Sequence, residues 1–274
     1  MFGKLLKNDL KAQWHSISTI FLCIAFVAVG AEIFTLTTKQ QAMKVLGGML
    51  VFMALGFACI VVLIAVALMF SKTMFGRAGY LTLSIPVKTS SLLISKTVSG
   101  LIWIFSVYAL FIGSLFLWVY QVKQTLGNQI LDSVESILTI FGVPSFLTIF
   151  IGILFFLISL AVLTLVMVQA LQLSITLSNI SPISKFGNIG IIVMFFVIFL
   201  VVQTVTTELS DLLPIGFVVN ADTVKFTSNI VRTKAAMGGG GLSIGICGSI
   251  FRLLAAIGLH YPTVYLIQHK INIK

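Results

Sequence analysis

The chain is dominated by long apolar runs separated by short polar segments. The runs are continuous over about twenty residues or more, the length that an α-helix needs to cross the ~30 Å hydrocarbon core of a bilayer. Strands of a transmembrane barrel would alternate in polarity over about ten residues. The pattern therefore predicts an all-α, polytopic membrane protein with a single transmembrane domain, residues 1–274. The six predicted spans are about residues 17–36, 45–70, 97–120, 143–173, 189–207 and 242–267.

The segment before the first span predicts an amphipathic helix, about residues 2–15, on the inner face of the membrane. Apolar residues recur there at helical spacing, and Trp14 suits the membrane interface. Three lysines are placed to meet anionic headgroups. These lysines are Lys4, Lys7 and Lys11.

Composition and charge support a membrane protein and set its orientation. The 274 residues are 59% hydrophobic and only 9% charged, whereas soluble domains are near a quarter charged. The net charge of +10 does not indicate nucleic-acid binding, because the basic residues flank the spans and do not cluster with aromatics on a polar domain. Placing both termini in the cytoplasm puts ten of the 17 basic residues in inner segments and six in outer ones, the bias that inner segments carry.

The predicted loop between spans two and three, residues 71–96, stands out from the other connections. It contains four basic residues and no acid, which indicates the cytoplasmic side. Its apolar residues need a surface to cover them, so the sequence predicts a short interfacial helix that ends before Pro86. An interfacial connector and a docking surface fit these residues equally well. The basic residues are Lys72, Arg77, Lys88 and Lys96, and the apolar residues are Phe75, Tyr80, Leu81, Leu83 and Ile85.

Three segments of the chain carry a resemblance to a known family. The loop segment is Phe70-x-Lys72-x-x-Phe75-Gly76-x-x-Gly79-Tyr80-Leu81-x-Leu83-x-Ile85-Pro86-Val87, followed by Ser95-Lys96 and Trp103. The opening segment is residues 2–12, and the closing segment is residues 265–273. Together they resemble permease subunits of bacterial type-2 ABC transporters. The resemblance is greatest to the compact six-span permeases of Gram-positive bacteria, which are often tied to antimicrobial-peptide export or immunity.

The resemblance implies a coupling helix in the cytoplasmic loop between spans two and three. In that family this helix docks on a separate ATPase subunit. The implied partners are two ATPase chains, a second permease chain (identical or paralogous) and a peptide or lipid-like substrate. Members of the family often carry an acid just before the Gly-Tyr pair, where this chain has Arg77 and Ala78. The implied ATPase-coupling residues are Lys72, Phe75, Arg77, Tyr80, Leu81, Leu83, Ile85 and Pro86.

The sequence contains no catalytic or metal-binding constellation of its own. The phosphate-binding pattern G-x-x-x-x-G-K-S/T is absent, so ATP-driven work would need ATP and Mg²⁺ bound by a separate chain. The cysteines and histidines lack the spacing of a metal site. We therefore expect no enzymatic activity, no bound cofactor and no metal in this chain.

Polar residues inside the predicted spans are candidates for a substrate path or gate. Arg252 is predicted close to mid-membrane, where an arginine usually faces a cavity or a partner. Glu32 is its most plausible counter-ion within the membrane, and Gln203 could line a polar path or form a hydrogen bond between helices. A structural ion pair or a snorkelling Arg252 is the alternative.

Two other functions compete with ATP-driven export. The chain could be a membrane-embedded peptide sensor or immunity scaffold that does not transport its ligand. An ion-driven secondary transporter is disfavoured, because acids that could carry protons or sodium are missing from the centres of the spans. The preferred interpretation is a multi-pass permease in the bacterial cytoplasmic membrane with both termini inside.

Overall fold

The described residues fold into long helices and a small sheet. The computed structural model describes residues 2–37, 41–76, 79, 87–126, 146–180, 187–219, 224–230 and 242–269. The helices are α1 (Phe2–Thr37), α2 (Gln41–Met74), α3 (Thr89–Leu126), α4 (Phe146–Ser178), α5 (Gly187–Leu212) and α6 (Cys247–His269). The strands are β1 (Gly216–Val219), β2 (Val224–Thr227) and β3 (Leu242–Gly245).

The prediction of a mostly helical, polytopic membrane protein is confirmed at this coarse level. Within the described residues, α2 to α6 each contain a stretch long and apolar enough to cross a membrane, and α1 makes a sixth if its two parts are counted as one span. The parts of α1, Phe2–Trp14 and Ile17–Gly30, are bent by 57° relative to each other. This bend separates the charged first segment from the apolar second one, as expected for an interfacial helix followed by a span.

The chain divides into two compact units. Unit 1 comprises Met1–Asn128 and Val264–Lys274, and unit 2 comprises Gln129–Thr263. In unit 1 the helices α1, α2 and α3 pack against one another in all three pairings. Part of this core is formed by Ala28, Val51 and Leu55, with Ile24 and Phe111 packed against them.

Unit 2 combines α4, α5, the sheet and most of α6. Helices α4 and α5 pack against each other. The antiparallel sheet has the order β2-β1-β3, and its cross-strand pair of Phe217 and Phe226 has ring centroids 5.3 Å apart. The sheet was not predicted, and it corrects the sixth span: residues 242–245 form β3, and helix α6 begins only at Cys247.

The predicted loop at residues 71–96 is also shorter in the structure. Helix α2 continues to Met74 and α3 already begins at Thr89, so Lys72 and Lys96 lie within helices. A helix keeps its internal hydrogen bonds beyond the apolar part of its sequence, which is why the polar end turns remain helical. The predicted coupling helix falls mainly on residues 77, 78 and 80–86, which lie outside the described residues.

Candidate functional site

A buried ion pair joins the first segment of α1 to the first turns of α3. The Lys96 Nζ donates to Asp9 Oδ1 at 3.0 Å, and the Ser95 Oγ donates to Asp9 Oδ2 at 2.6 Å. The Lys96 side chain is only 6% exposed and that of Asp9 is 17% exposed. Both carboxylate oxygens therefore have a donor, which is the condition under which a buried charge pair is tolerated. We expected Lys96 to be a loop cation, but its charge is paired with that of Asp9 inside unit 1.

A second polar contact extends this seam by one helical turn. The Gln13 Nε2 donates to Ser99 Oγ at 2.9 Å, and the Ser99 hydroxyl donates to the Lys96 carbonyl oxygen at 3.0 Å. A hydroxyl has only one hydrogen, so Ser99 can only accept from Gln13, and this fixes the orientation of the amide. We call these five residues (Asp9, Gln13, Ser95, Lys96 and Ser99) the polar seam.

Two aromatic contacts close the membrane side of the polar seam. The buried Trp103 lies one turn after Ser99, with its ring centroid 5.7 Å from that of Trp14 and 6.5 Å from that of Phe21. Gln13 Oε1 in the seam and the neighbouring Trp103 Nε1 are buried without a hydrogen-bond partner among the described residues. Aromatic rings thus border the polar seam at one end.

We expect Gln13→Leu to lower stability only slightly. The substitution removes one buried hydrogen bond, worth about 1 kcal/mol, but it also removes the unpaired Oε1 and leaves the bond from Ser99 to Lys96 intact. Thermal unfolding of the purified variant measures this. Gln13→Glu is the sharper comparison, because it places a second acid beside Asp9, and it should destabilise the chain more than Gln13→Leu.

The end of α2 presents the described part of the predicted coupling region. Lys72 is exposed in the last turn. Phe75 is half-buried, with its ring centroid 6.1 Å from that of Phe70 in an edge-to-face contact. A Cβ at Gly76 would lie 2.5 Å from the carbonyl oxygen of Lys72, so the tight turn that ends the helix needs glycine there. Lys72 and Phe75 therefore lie together at the helix end, with Lys72 accessible to a partner.

The remaining predicted coupling residues are not located by the structure. Arg77, Tyr80, Leu81, Leu83, Ile85 and Pro86 all lie outside the described residues.

The closing segment of the chain reaches the same end of α3. Gln268 Nε2 lies 3.3 Å from Thr89 Oγ1 and donates to it, and the Tyr265 and His269 rings stack with their centroids 4.6 Å apart. The contacts made by Asp9, Gln13 and Gln268 all fall on the first three turns of α3. The opening, loop and closing segments singled out in the sequence therefore meet in unit 1.

The predicted intramembrane residues Glu32, Gln203 and Arg252 lie on three different helices, α1, α5 and α6. Arg252 and Gln203 are both half-buried in unit 2, while Glu32 belongs to α1 and its side chain is outside the described residues. Arg252 Nε is buried with no hydrogen-bond partner in the described part of the chain. Because α6 starts at Cys247, Arg252 lies only about 7.5 Å along the helix axis from its first residue. It is therefore nearer to a helix end than we predicted.

An apolar groove runs between α1 and α2 on unit 1. Its volume is about 370 Å³. Its lining includes the small side chains of Ala54 and Ala58 and the aliphatic side chains of Ile20 and Val61. This surface suits a hydrophobic group such as an acyl chain or an apolar side chain.

The polar seam was the feature that sequence analysis missed. One signal was present: Asp9 is a single acid among lysines in an otherwise basic, amphipathic segment. Among the described residues, no group of three or more His, Cys, Asp or Glu side chains is arranged to hold a metal ion. No family model, curated protein or solved structure matches the chain.

Proposed function

We propose that the chain is the transmembrane permease subunit of an ATP-driven ABC exporter. The observation that carries the proposal is the meeting of the three resembling segments on the first turns of α3. Asp9 of the opening segment contacts Lys96, and Gln268 of the closing segment contacts Thr89. Segments far apart in the sequence but packed together are expected where a partner has to act on several helices at once.

The packing of unit 1 suggests how force would be transmitted. Two ATPase chains would bind ATP and Mg²⁺ and press on the connection between α2 and α3, near Lys72 and Phe75. Because α3 is tied to α1 by the Asp9–Lys96 pair and packed against α2, a push on the connection would move the three helices together. A second permease chain, identical or paralogous, would complete the transporter.

The proposed cargo is a peptide or another amphipathic or hydrophobic molecule. The apolar groove between α1 and α2 supports a hydrophobic substrate, because it could bind an apolar part of that molecule. Arg252, Gln203 and Glu32 remain the candidates for a more polar part of the path. The proposed location is the bacterial cytoplasmic membrane, with both termini inside.

We expect Phe75→Ala and Tyr80→Ala to reduce the ATPase that co-purifies with the tagged chain. Loss of a large aromatic side chain removes the apolar contact that holds a docked surface, an effect typical of interface hot spots. The chain is isolated from native membranes in mild detergent, and Mg²⁺-dependent ATP hydrolysis is measured on the eluate per mole of chain. Phe26→Ala is the matched control, because Phe26 is 82% exposed on α1 and is not part of the lining of the apolar groove.

The same experiment separates export from the sensor or scaffold function. If the chain is an exporter, an ATPase co-purifies with it, and the rate of ATP hydrolysis rises when the transported molecule is added. If the wild-type chain brings down no nucleotide-binding protein, the ABC assignment fails and the scaffold function takes its place. If Phe26→Ala lowers the activity as much as Phe75→Ala, the effect is not specific to the connection after α2.

A further inference from the structure

Three exposed lysines form one ridge on the first segment of α1. Lys4, Lys7 and Lys11 are all exposed, and at 100° per residue they fall within an arc of about 60° on the helix surface. Asp9 and Gln13 lie roughly opposite this arc and face α3, as their contacts show. The polar seam therefore orients the basic ridge away from the protein.

The exposed side of this segment carries only positive charge. Asp9 is the one acid between residues 2 and 14, and its two oxygens are taken by Lys96 and Ser95. The pairing removes the charge that would otherwise weaken the field of the three lysines. What remains is an electropositive surface that suits an anionic partner.

The bend of α1 sets the height of the ridge above the membrane. With the second part of α1 crossing the bilayer, the 57° bend lets the first segment rise only about 0.8 Å per residue along the bilayer normal. Lys11 then lies about 5 Å and Lys4 about 11 Å above the level of Ile17. The headgroup layer is about 5–7 Å thick on each side, so long lysine side chains can reach it from all three positions.

Trp14 favours a lipid partner over an acidic protein. Its side chain is 63% exposed and lies close to the lysine ridge, at the junction with the membrane-crossing part of the helix. Exposed tryptophans at such junctions are typical of the headgroup level. A protein that covered the ridge would have to share this junction with the lipids that an exposed tryptophan attracts.

We propose that this basic ridge binds the headgroups of anionic phospholipids in the leaflet on the side of the chain termini. This interaction does not depend on the proposed transport function. Each lysine near an anionic membrane surface contributes about fivefold to the association, so three lysines would enrich anionic lipids around α1.

The test uses Trp14 as a local reporter in the full-length chain. Trp103→Phe and Trp118→Phe leave it as the single tryptophan, and Phe at position 103 keeps an aromatic neighbour. The protein is reconstituted in phosphatidylcholine vesicles containing either brominated phosphatidylglycerol or brominated phosphatidylcholine. At equal bromine content, we expect brominated phosphatidylglycerol to quench Trp14 fluorescence at least twofold more than brominated phosphatidylcholine does. Added salt should reduce this preference.

Substitutions then assign the preference to the ridge. In the triple variant Lys4→Gln, Lys7→Gln, Lys11→Gln, both lipids should quench Trp14 fluorescence equally. Lys11→Gln alone should give an intermediate ratio of quenching by the anionic lipid to quenching by phosphatidylcholine. Lys123→Gln, near the other end of α3, is the matched single-charge control and should keep the wild-type ratio. Equal quenching by the two lipids in the parent protein would overturn the proposal, and so would an unchanged preference for the anionic lipid in the triple variant. Loss of a co-purifying acidic protein without any change in quenching would assign the ridge to that protein instead.

Discussion

Asp9→Asn should undock the first segment of α1 at a free-energy cost of about 3 kcal/mol, more than Lys96→Met costs. Removing one partner of a buried ion pair leaves the other charge uncompensated. The ammonium of Lys96 is the more deeply buried of the two, with a side chain 6% exposed against 17% for Asp9. In Lys96→Met, Asp9 keeps its bond from Ser95 and some access to water, so we expect only the loss of one hydrogen bond, about 1–2 kcal/mol.

Native-state proteolysis measures this undocking directly, because trypsin can cleave after Lys4, Lys7 and Lys11 once the helix opens. A destabilisation of 3 kcal/mol corresponds to about a hundredfold faster cleavage when opening is fast relative to cutting. The double variant Asp9→Asn, Lys96→Met should cost less than the sum of the single variants, since no charge is left buried. Lys72→Met removes an exposed charge on α2 and serves as the control. Equal cleavage rates in Asp9→Asn and wild type would mean that the ion pair does not hold α1 in place.

The helices were predictable because each span is a long apolar run, but their ends were not. Helix α5 reaches Leu212, five residues past the predicted end, and includes Glu208 and Asp211. Hydropathy indicates where lipid surrounds the chain, whereas backbone hydrogen bonding decides where a helix stops. The same difference places Lys72 and Lys96 in helices and not in a loop.

The sheet escaped prediction because its strands are short, and the alternation in β2 and β3 extends over only four residues. Each has four residues, the lower limit of the length over which alternation indicates a strand. β3 (Leu242–Gly245) contains two aliphatic residues and is separated from the apolar α6 by Ile246 alone, so sequence alone merges the two. β3 is distinguished from α6 by its pairing with β1, a strand distant in sequence.

The polar seam could not be predicted because it depends on which helix faces meet. Asp9 and Lys96 are 87 residues apart in the sequence, and the sequence does not state that α1 packs on α3. Lys96 precedes a long apolar run, a position typical of a loop cation at the membrane surface. The lone acid in a basic helix indicated that Asp9 needed a partner, but it did not identify that partner.

The crossing of α2 and α3 depends on one glycine, and Gly100→Leu should disrupt it. A Cβ at Gly100 would lie 2.8 Å from Cγ1 of the buried Val66. Valine is β-branched and has one strongly preferred rotamer in a helix, so it cannot easily move away. We expect Gly100→Ala to cost about 1–2 kcal/mol and Gly100→Leu about 3 kcal/mol or more, the range for overpacked sites. Small residues allow such close approach between membrane helices.

Gly113 gives a matched control on the same helix, because a Cβ there would have no neighbouring atom within 4 Å among the described residues. Gly113→Leu should be neutral or slightly stabilising, since glycine inside a helix costs about 0.5–1 kcal/mol relative to alanine. The free energy of unfolding is measured by titrating SDS into mixed micelles and following the loss of helical circular dichroism. Val66→Ala should partly rescue Gly100→Ala, because it removes the methyl group that is in the way, and a double-mutant cycle isolates that coupling. If Gly100→Leu unfolds at the same SDS content as Gly113→Leu, then α2 and α3 do not cross at Gly100, and a push on their connection would not move them as one body.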